Sequence, residues 1–246
     1  MKLFKVAGTW GLALALLGSA ACTAVDPGAD FAELDQQEPL SREFHEFNVG
    51  WDTAFIRPAA KTYDKFTPAT VQLLVSNGFS HLTLPRDFAN YVFQGKPVRA
   101  LETLGRFTLN TIMGAGGLLD PATEFGLPKR DTDFGVTMAR HGASEGSYLV
   151  FPLFGPTTSR DTVGRVVDLA FAPTTYLGLT LAESGAEYGA ELIEFRDREM
   201  DAIDDVLYES EDSYVTLRAV YLQSRRALIA GDGVEPDALP NIFEQN

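Results

Sequence analysis

The chain is poor in the residue types on which much chemistry depends. A single cysteine, Cys22, among 246 residues excludes an intramolecular disulfide. Three histidines (His45, His81 and His141) leave little material for a zinc site. Twenty basic against 34 acidic side chains give a net charge of −14, and this shortage of cations argues against nucleic acid, whose condensed counterions only cations replace. No apolar run reaches the ~20 residues that a spanning helix needs. No repeat of period 20–50 is visible. Neither a P-loop nor G-x-G-x-x-G is present. What remains is an ordinary globular composition, with 45% apolar and 11% aromatic residues, so disorder over the whole length is excluded. A chain of this size buries roughly 70–75% of its unfolded surface without staples and forms one domain or a loosely divided pair.

The amino terminus reads as an address. Lys2 and Lys5 precede an apolar stretch centred on Leu12, Leu14, Leu16 and Leu17, and the small residues Gly18 to Ala21 lead directly to Cys22. This is the three-part layout of a bacterial export signal over residues 1–21. Small residues before the sole cysteine resemble a lipobox, with Ser19 where a large aliphatic residue is usual. Cys22 is therefore the expected lipid anchor, each buried methylene contributing ~0.8 kcal/mol. An ordinary signal peptide that happens to contain a cysteine is the alternative. Thr23 is compatible with sorting to the outer membrane. Loss of residues 1–21 removes Lys2 and Lys5, leaving 18 basic against 34 acidic residues, a net charge of −16. Residues 22–40 are expected to be the acylated cysteine and a flexible acidic tether, residues 41–230 a single helical domain, and 231–246 a frayed tail.

Helical periodicity dominates the domain. Phe44, Phe47, Trp51 and Phe55 recur at three- and four-residue steps, with Ser41 as cap and Arg57-Pro58 as the end or kink. Residues 66–85 carry no charge; Val71, Leu74, Val75 and Phe79 share one face, with Ser76, Asn77, Ser80 and His81 elsewhere. An uncharged polar face suits packing on both sides or a place near lipid head groups. Leu101, Leu104, Thr108 and Ile112 form the next stripe, broken by Gly114, Gly116 and Gly117. Residues 120–142 read as polar loop. Segments 146–159 and 169–182 are uncharged, aromatic and interrupted by proline. Residues 183–212 hold twelve acids over a stripe of Leu192, Phe195, Met200, Ile203 and Leu207, read as a solvated face. A last helix spans 214–230. The class is mostly all-α, with little or no sheet.

Catalytic motifs are scarce. Gly142-Ala143-Ser144-Glu145-Gly146 matches the G-x-S-x-G elbow of serine hydrolases. That fold places its histidine after the serine, whereas all three histidines here precede Ser144. Asp131-Thr132-Asp133 opens like a calcium loop, yet Gly135 occupies a ligand position and no closing glutamate follows. His45, between Glu43 and Glu46, reads as a surface residue, and His141 as structural. No catalytic residue, metal site or cofactor is expected.

Several blocks taken in order resemble one family, the MlaA/VacJ lipoproteins of Gram-negative outer membranes. They are Pro39-Leu40 with Phe44, Phe47-Asn48 and Arg57-Pro58-Ala59; Val75-Ser76-Asn77 with Asn90 and Gln94-Gly95-Lys96-Pro97; and Gly105-Arg106-Phe107, Asn110-Thr111 and Gly114 to Asp120. Asp133-Phe134-Gly135, Tyr148-Leu149-Val150, Gly155-Pro156 and Arg160-Asp161 follow, then Asp212, Tyr214, Arg218, Tyr221 and Gln223. His45-Glu46 and Ser147 depart from the family pattern. The resemblance implies a non-enzymatic protein held in the periplasm-facing leaflet. It removes misplaced phospholipids from the outer leaflet, beside a trimeric porin, and passes them to a periplasmic phospholipid carrier. It also implies a ring of amphipathic helices embedded in the membrane, residues 66–119 and 146–182 contributing, with the acidic helix facing the periplasm. Phe47, Asn48, Asn77, Arg106, Asn110, Arg160 and Asp161 are the motif residues it singles out, and Gly114, Gly116 and Gly117 the expected hinge. A serine lipid hydrolase using Ser144 and a purely structural lipoprotein are the rivals.

Overall fold

The computed structural model describes residues 31–231, apart from Leu177. Cys22, the export signal 1–21 and the expected tail from 232 onward lie outside the described residues.

The first helix, α1 (Glu38–Trp51), begins three residues before Ser41, which is buried within it rather than capping it. It runs through a π-helical stretch, Asp52–Ile56, directly into α2 (Arg57–Phe66). Pro58 does not end the helix. It falls in the first turn of α2, where the wider π turn has already re-spaced the hydrogen bonds that its missing N–H would interrupt. The expected tether is shorter than residues 22–40: Leu34 is fully buried, and the Tyr148 N–H donates to its carbonyl at 2.8 Å. An aliphatic side chain with a place in the core outweighs the acidic composition around it.

The hairpin of α3 (Ala69–Phe93) and α4 (Pro97–Ile112) is the longest helical pair among the described residues. α3 contains Pro85 and extends eight residues beyond it. Two short helices, α5 (Pro121–Glu124) and α6 (Phe134–Arg140), occupy the stretch that reads as loop. Asp133 caps α6 by accepting from the Val136 N–H at 2.9 Å. Residues 146–159 are not helical either. They form an antiparallel hairpin, β1 (Tyr148–Phe151) with β2 (Gly155–Thr158), in the register Tyr148↔Thr158. Tyr148 and Val150 are buried in the period of two that belongs to a strand, so this part of 146–182 does not supply a helix to the expected ring. Helix α7 (Ser159–Asp168), a 3-10 turn (Pro173–Tyr176), α8 (Leu181–Arg198), α9 (Met200–Asp204), a second π stretch (Asp205–Glu209) and α10 (Ser213–Ala230) complete the chain. The fold is mostly all-α, with one small hairpin.

The distribution of polarity is reversed. The apolar cluster is small: Leu34, Tyr148, Val150, Tyr214 and Leu222, with Phe31, Phe44 and Tyr221 against it. Among the described residues, twenty-two polar or charged residues are buried against eleven apolar ones. The stripe Leu101, Leu104 and Ile112 of α4 is exposed, while Thr103, Arg106 and Asn110 face inward. α3 likewise buries His81, Asp87 and Asn90 and exposes Leu73 and Leu82. Phe47, Trp51 and Phe55 lie outward on α1 and its π extension, with ring centroids 6.3 and 4.4 Å apart. No helix among the described residues is long and apolar enough to cross a membrane.

Candidate functional site

Two adjoining cavities lie on the inward faces of these helices. The larger, of about 410 Å³, sits between α3, the 129–133 segment and α8. Ser76, Ser80 and Thr83 bring the uncharged polar face of α3 to it; Arg86, Lys129 and Arg198 bring positive charge, and Asp131, Asp133, Glu191 and Glu194 bring negative charge. Phe79, Leu192 and Phe195 supply apolar wall. Lys129 Nζ donates to Ser80 Oγ at 2.8 Å, and Arg198 to Ser76 Oγ at 3.2 Å. The smaller cavity, of about 210 Å³, shares Lys129, Asp131, Thr132 and Leu228 with it. The two therefore adjoin along this shared wall.

Buried ion pairs frame the cavities. Arg86 pairs with Asp87 at 2.9 Å, and Thr83 donates to the same carboxylate. Burial pushes the Asp87 carboxyl up to about 7 against the pull of Arg86. Asn90 donates to Asp168 at 2.8 Å and accepts from Thr137, while the Phe134 N–H holds the other Asp168 oxygen at 3.0 Å. Arg225 spans Asp133 and Asp161, each at 2.9 Å. Burial raises the Asp133 carboxyl, but hydrogen bonds and charge from Arg225 outweigh it and hold the group below its ordinary value. On the far side Arg196, almost wholly buried, holds Asp52 at 3.0 Å and also Asp204, so that α8 clasps the π stretch of the first helix. The twelve acids of 183–212 are thus only partly a solvated face. Glu194 is buried beside Arg198, and the expected stripe residue Phe195 is exposed.

The motif residues fall into separate groups, none lining either cavity. Arg106 is buried and binds both Asp120 oxygens, at 3.0 and 2.8 Å, together with the Leu127 carbonyl and Thr123. Asn110 donates to Asp120 at 2.8 Å and accepts from the Ala122 N–H. Asn77 reaches the Leu118 carbonyl at 3.1 Å. These three staple the turn 113–120 onto α3 and α4. Arg160 and Asp161 form a second buried pair at 3.0 Å, to which Tyr221 donates. Asn48 forms a third group with the hairpin: it donates to the Phe151 carbonyl at 3.0 Å and accepts from the Leu153 N–H at 2.7 Å, holding a residue at φ +66°. Phe47 is exposed and stacks on Trp51.

The glycines expected as a hinge divide in two. A Cβ on Gly117 would overlap the His81 ring, and one on Gly114 would overlap the Leu119 and Asn110 carbonyl oxygens. Both are pinned by close packing. Gly116, at φ +75°, has open space where a side chain would go.

His45 is not a surface residue. It is buried, bonds Ser213 Oγ at 2.8 Å, and its protonation is disfavoured chiefly by burial. His141 lies exposed, its Nε2 2.9 Å from the Phe93 carbonyl. Ser144 sits exposed in an irregular segment with a strand after it and α6 before it. That is the reverse of the strand–serine–helix order an elbow requires. Reading the sequence missed Arg86 and Lys129 at the cavities and took Asp131 only as the opening of an incomplete calcium loop. Their signal was weak, for charges on separate elements become neighbours only when the 129–133 segment packs beside α3.

A family model described as MlaA lipoprotein matches residues 33–228. The intermembrane phospholipid transport system lipoprotein MlaA of Escherichia coli (strain K12) is 30% identical over 211 residues, covering 84% of this chain and 83% of its own. The protein of that name from Haemophilus influenzae is 28% identical over 193 residues, 77% of each chain. A solved chain from a study of the structural basis for maintenance of bacterial outer membrane lipid asymmetry superimposes with a TM-score of 0.71 at 30% identity. It covers 79% of this chain, which in turn covers 98% of it.

Proposed function

The chain belongs to the MlaA lipoprotein family, and from that premise we propose that it works in intermembrane phospholipid transport. It takes mislocalised phospholipids from the outer leaflet of the outer membrane and gives them to a periplasmic carrier, so maintaining lipid asymmetry. It acts as a transport component without making or breaking bonds.

The observation that carries this reading is the reversed polarity. Fully covering a large apolar side chain is worth ~1.5–3 kcal/mol, so leaving Phe55, Leu101 and Ile112 more than half exposed is costly in water and favourable in acyl chains. A lipid head group faces the converse problem. Crossing hydrocarbon strips its hydrogen bonds at several kcal/mol each, whereas hydroxyls and cations along a polar interior replace them. Ser76, Ser80 and Thr83 with Arg86, Lys129 and Arg198 are such replacements, and Phe79, Leu192 and Phe195 accept the apolar part of the molecule. Helices arranged as a ring in the periplasm-facing leaflet, apolar outside and polar inside, fit this division. Acylation at Cys22 supplies the anchor, a trimeric porin the neighbour that gives access to the outer leaflet, and the acidic α8 a periplasmic face. Gly116, the one hinge glycine with open space for a side chain, is where we place the movable point of the turn 113–119, its one backbone tie there being the Gly116 N–H to the Thr111 carbonyl at 3.1 Å.

The test is to extract the full-length protein in mild detergent and identify bound lipid by mass spectrometry. Phospholipid carried in near-equimolar amount supports transport. Protein free of lipid, with asymmetry unaltered when it is deleted, returns the purely structural reading. Phospholipid breakdown lost in Ser144→Ala returns the hydrolase.

A further inference from the structure

The larger cavity carries charge of both signs, and most of that charge is paired inside the protein. Arg86 binds Asp87, Arg198 binds both Glu194 oxygens at 2.8 and 2.9 Å, and Asp133 is held by Arg225. Three charged side chains of the lining stand outside these pairs. Among the described residues, Lys129 makes no ion pair; its ammonium donates to the neutral Ser80 hydroxyl at 2.8 Å. Asp131 and Glu191 likewise accept from no cation among the described residues. All three are exposed, so a ligand in the cavity can meet them directly. One cation and two carboxylates that do not satisfy each other call for a ligand that itself carries both signs.

The positive end is built on α3. Ser76 and Ser80 are one helical turn apart and so share a face. Arg198 donates to the first at 3.2 Å and Lys129 to the second at 2.8 Å. Two cations therefore meet adjacent hydroxyls at accessible surface. A phosphate oxygen seated between them takes charge-assisted hydrogen bonds, and Lys129 has further N–H donors to give. The negative end is built on α8, where Glu187, Glu191 and Glu194 recur at four- and three-residue steps. Burial, and then the Glu187 charge, hold the Glu191 carboxyl above its ordinary value. An ammonium beside Glu191 relieves that repulsion. If its nitrogen carries hydrogens it also donates to the carboxylate, which a quaternary nitrogen is unable to do. The volume of about 410 Å³ admits a head group with its glycerol, and Phe79, Leu192 and Phe195 cover the start of the acyl chains.

We propose that the larger cavity selects phospholipids whose head group is a zwitterion with a primary ammonium, over anionic and quaternary-ammonium head groups. The inference rests on the transport reading and adds a substrate preference to it. Lys129 and Arg198, with the Ser76 and Ser80 hydroxyls, take the phosphate. Glu191 accepts from the ammonium, and Asp131 is a second carboxylate within the same space. A head group with phosphate alone brings a negative charge to these carboxylates and nothing to offset it.

The experiment uses the full-length protein in mild detergent and measures equilibrium binding of dioctanoyl phosphatidylethanolamine, dioctanoyl phosphatidylglycerol and dioctanoyl phosphatidylcholine. The unaltered protein is expected to bind the ethanolamine lipid about tenfold more tightly than the glycerol lipid, equivalent to ~1.4 kcal/mol, and more tightly than the choline lipid. In Glu191→Gln the preference over the glycerol lipid falls to within about threefold, by weaker binding of the ethanolamine lipid. In Lys129→Gln all three lipids bind more weakly without a narrowing of the preference, because each carries the phosphate. Both positions are exposed, and the melting temperature checks that the variants fold; Asp131→Asn, read in the same way, replaces Glu191→Gln should that variant not fold. An undiminished preference in folded Glu191→Gln overturns the inference, as does unweakened binding in Lys129→Gln or equal binding of the ethanolamine lipid and either of the others by the unaltered protein. Displacement of the ethanolamine lipid by an equal concentration of glycerophosphoethanolamine reassigns the site to a free head group and overturns the lipid assignment. If none of the three lipids binds, the transport reading falls and this inference with it, whereas binding without preference removes this inference alone.

Discussion

Adding one methyl group at two neighbouring glycines separates packing from hinge. Gly117 has φ +97° and stands against the His81 ring. That ring is stacked on Phe107, with centroids 4.9 Å apart and planes 3° from parallel, and its Nε2 lies 3.1 Å from Thr111 Oγ. Gly117→Ala must therefore hold a non-glycine residue at an unfavourable φ, at ~1–3 kcal/mol. It must also push the imidazole off its ring partner, at ~0.5–1.5 kcal/mol, and lose a hydrogen bond of ~1 kcal/mol. The combined loss is about 3–5 kcal/mol. A domain of this size loses ~2–4 °C per kcal/mol, so the melting temperature drops by about 6–20 °C. Gly116→Ala carries only the backbone term, because nothing lies within 4 Å of its added carbon; its drop is about 2–12 °C. Thermal unfolding of the detergent-solubilised proteins, followed by circular dichroism at 222 nm, reads both. Equal drops would refute the claim that Gly117 is fixed by contact with His81. If lipid transfer fails in Gly116→Ala while the protein remains folded and its melting temperature falls no further than this, the movable point of the turn is at residue 116.

Two further outcomes follow from the buried charges. Arg196→Met leaves Asp52 and Asp204 without the guanidinium between them, and breaking a buried pair from one side costs ~3–5 kcal/mol; a drop smaller than that of Arg57→Ala, whose side chain is a third exposed, would show the clasp to be unimportant. The pH dependence has two limbs. Arg57 and Arg42 hold Asp204 and Asp212 below the ordinary carboxylate value, so their stabilisation is full above ~3.9 and is lost as pH falls through their folded values. Asp87 is raised to about 7, so between ~3.9 and 7 the folded state binds the extra proton and stability declines as pH rises. Melting curves from pH 3 to 8 should show both limbs, and Asp87→Asn should flatten the upper one; an unchanged upper limb in that variant places the proton elsewhere.

Local periodicity made most helices legible. The stripes Phe47–Trp51–Phe55 and Leu101–Leu104–Ile112 are real helical faces, and α4 (Pro97–Ile112) contains the whole of the second and ends on its last residue. Where side chains compete over a few residues, the pattern failed. The prolines of 146–159 concealed a hairpin whose strands are four residues each. Leu34 alone, in an acidic segment, gave no sign that it would enter the core. The motif residues were legible as a set, but not their roles, since Arg106, Asn110 and Asn77 meet only through the turn at 113–120.

The amino-acid order by itself determined that the domain is helical and that its helices are two-faced, because both are written in neighbours a few positions apart. It left open which face of each helix turns inward. An amphipathic helix satisfies the same periodicity whether its apolar side meets protein or lipid, so only the assembled chain decided that Leu101 and Phe55 look out while Arg106 and Asp87 look in. The cavities are likewise a product of assembly. The smaller is walled by residues from Tyr91 to Arg140 together with Leu228 and Gly231, and Coulomb energy depends on the distance between charges in space, which the sequence does not contain.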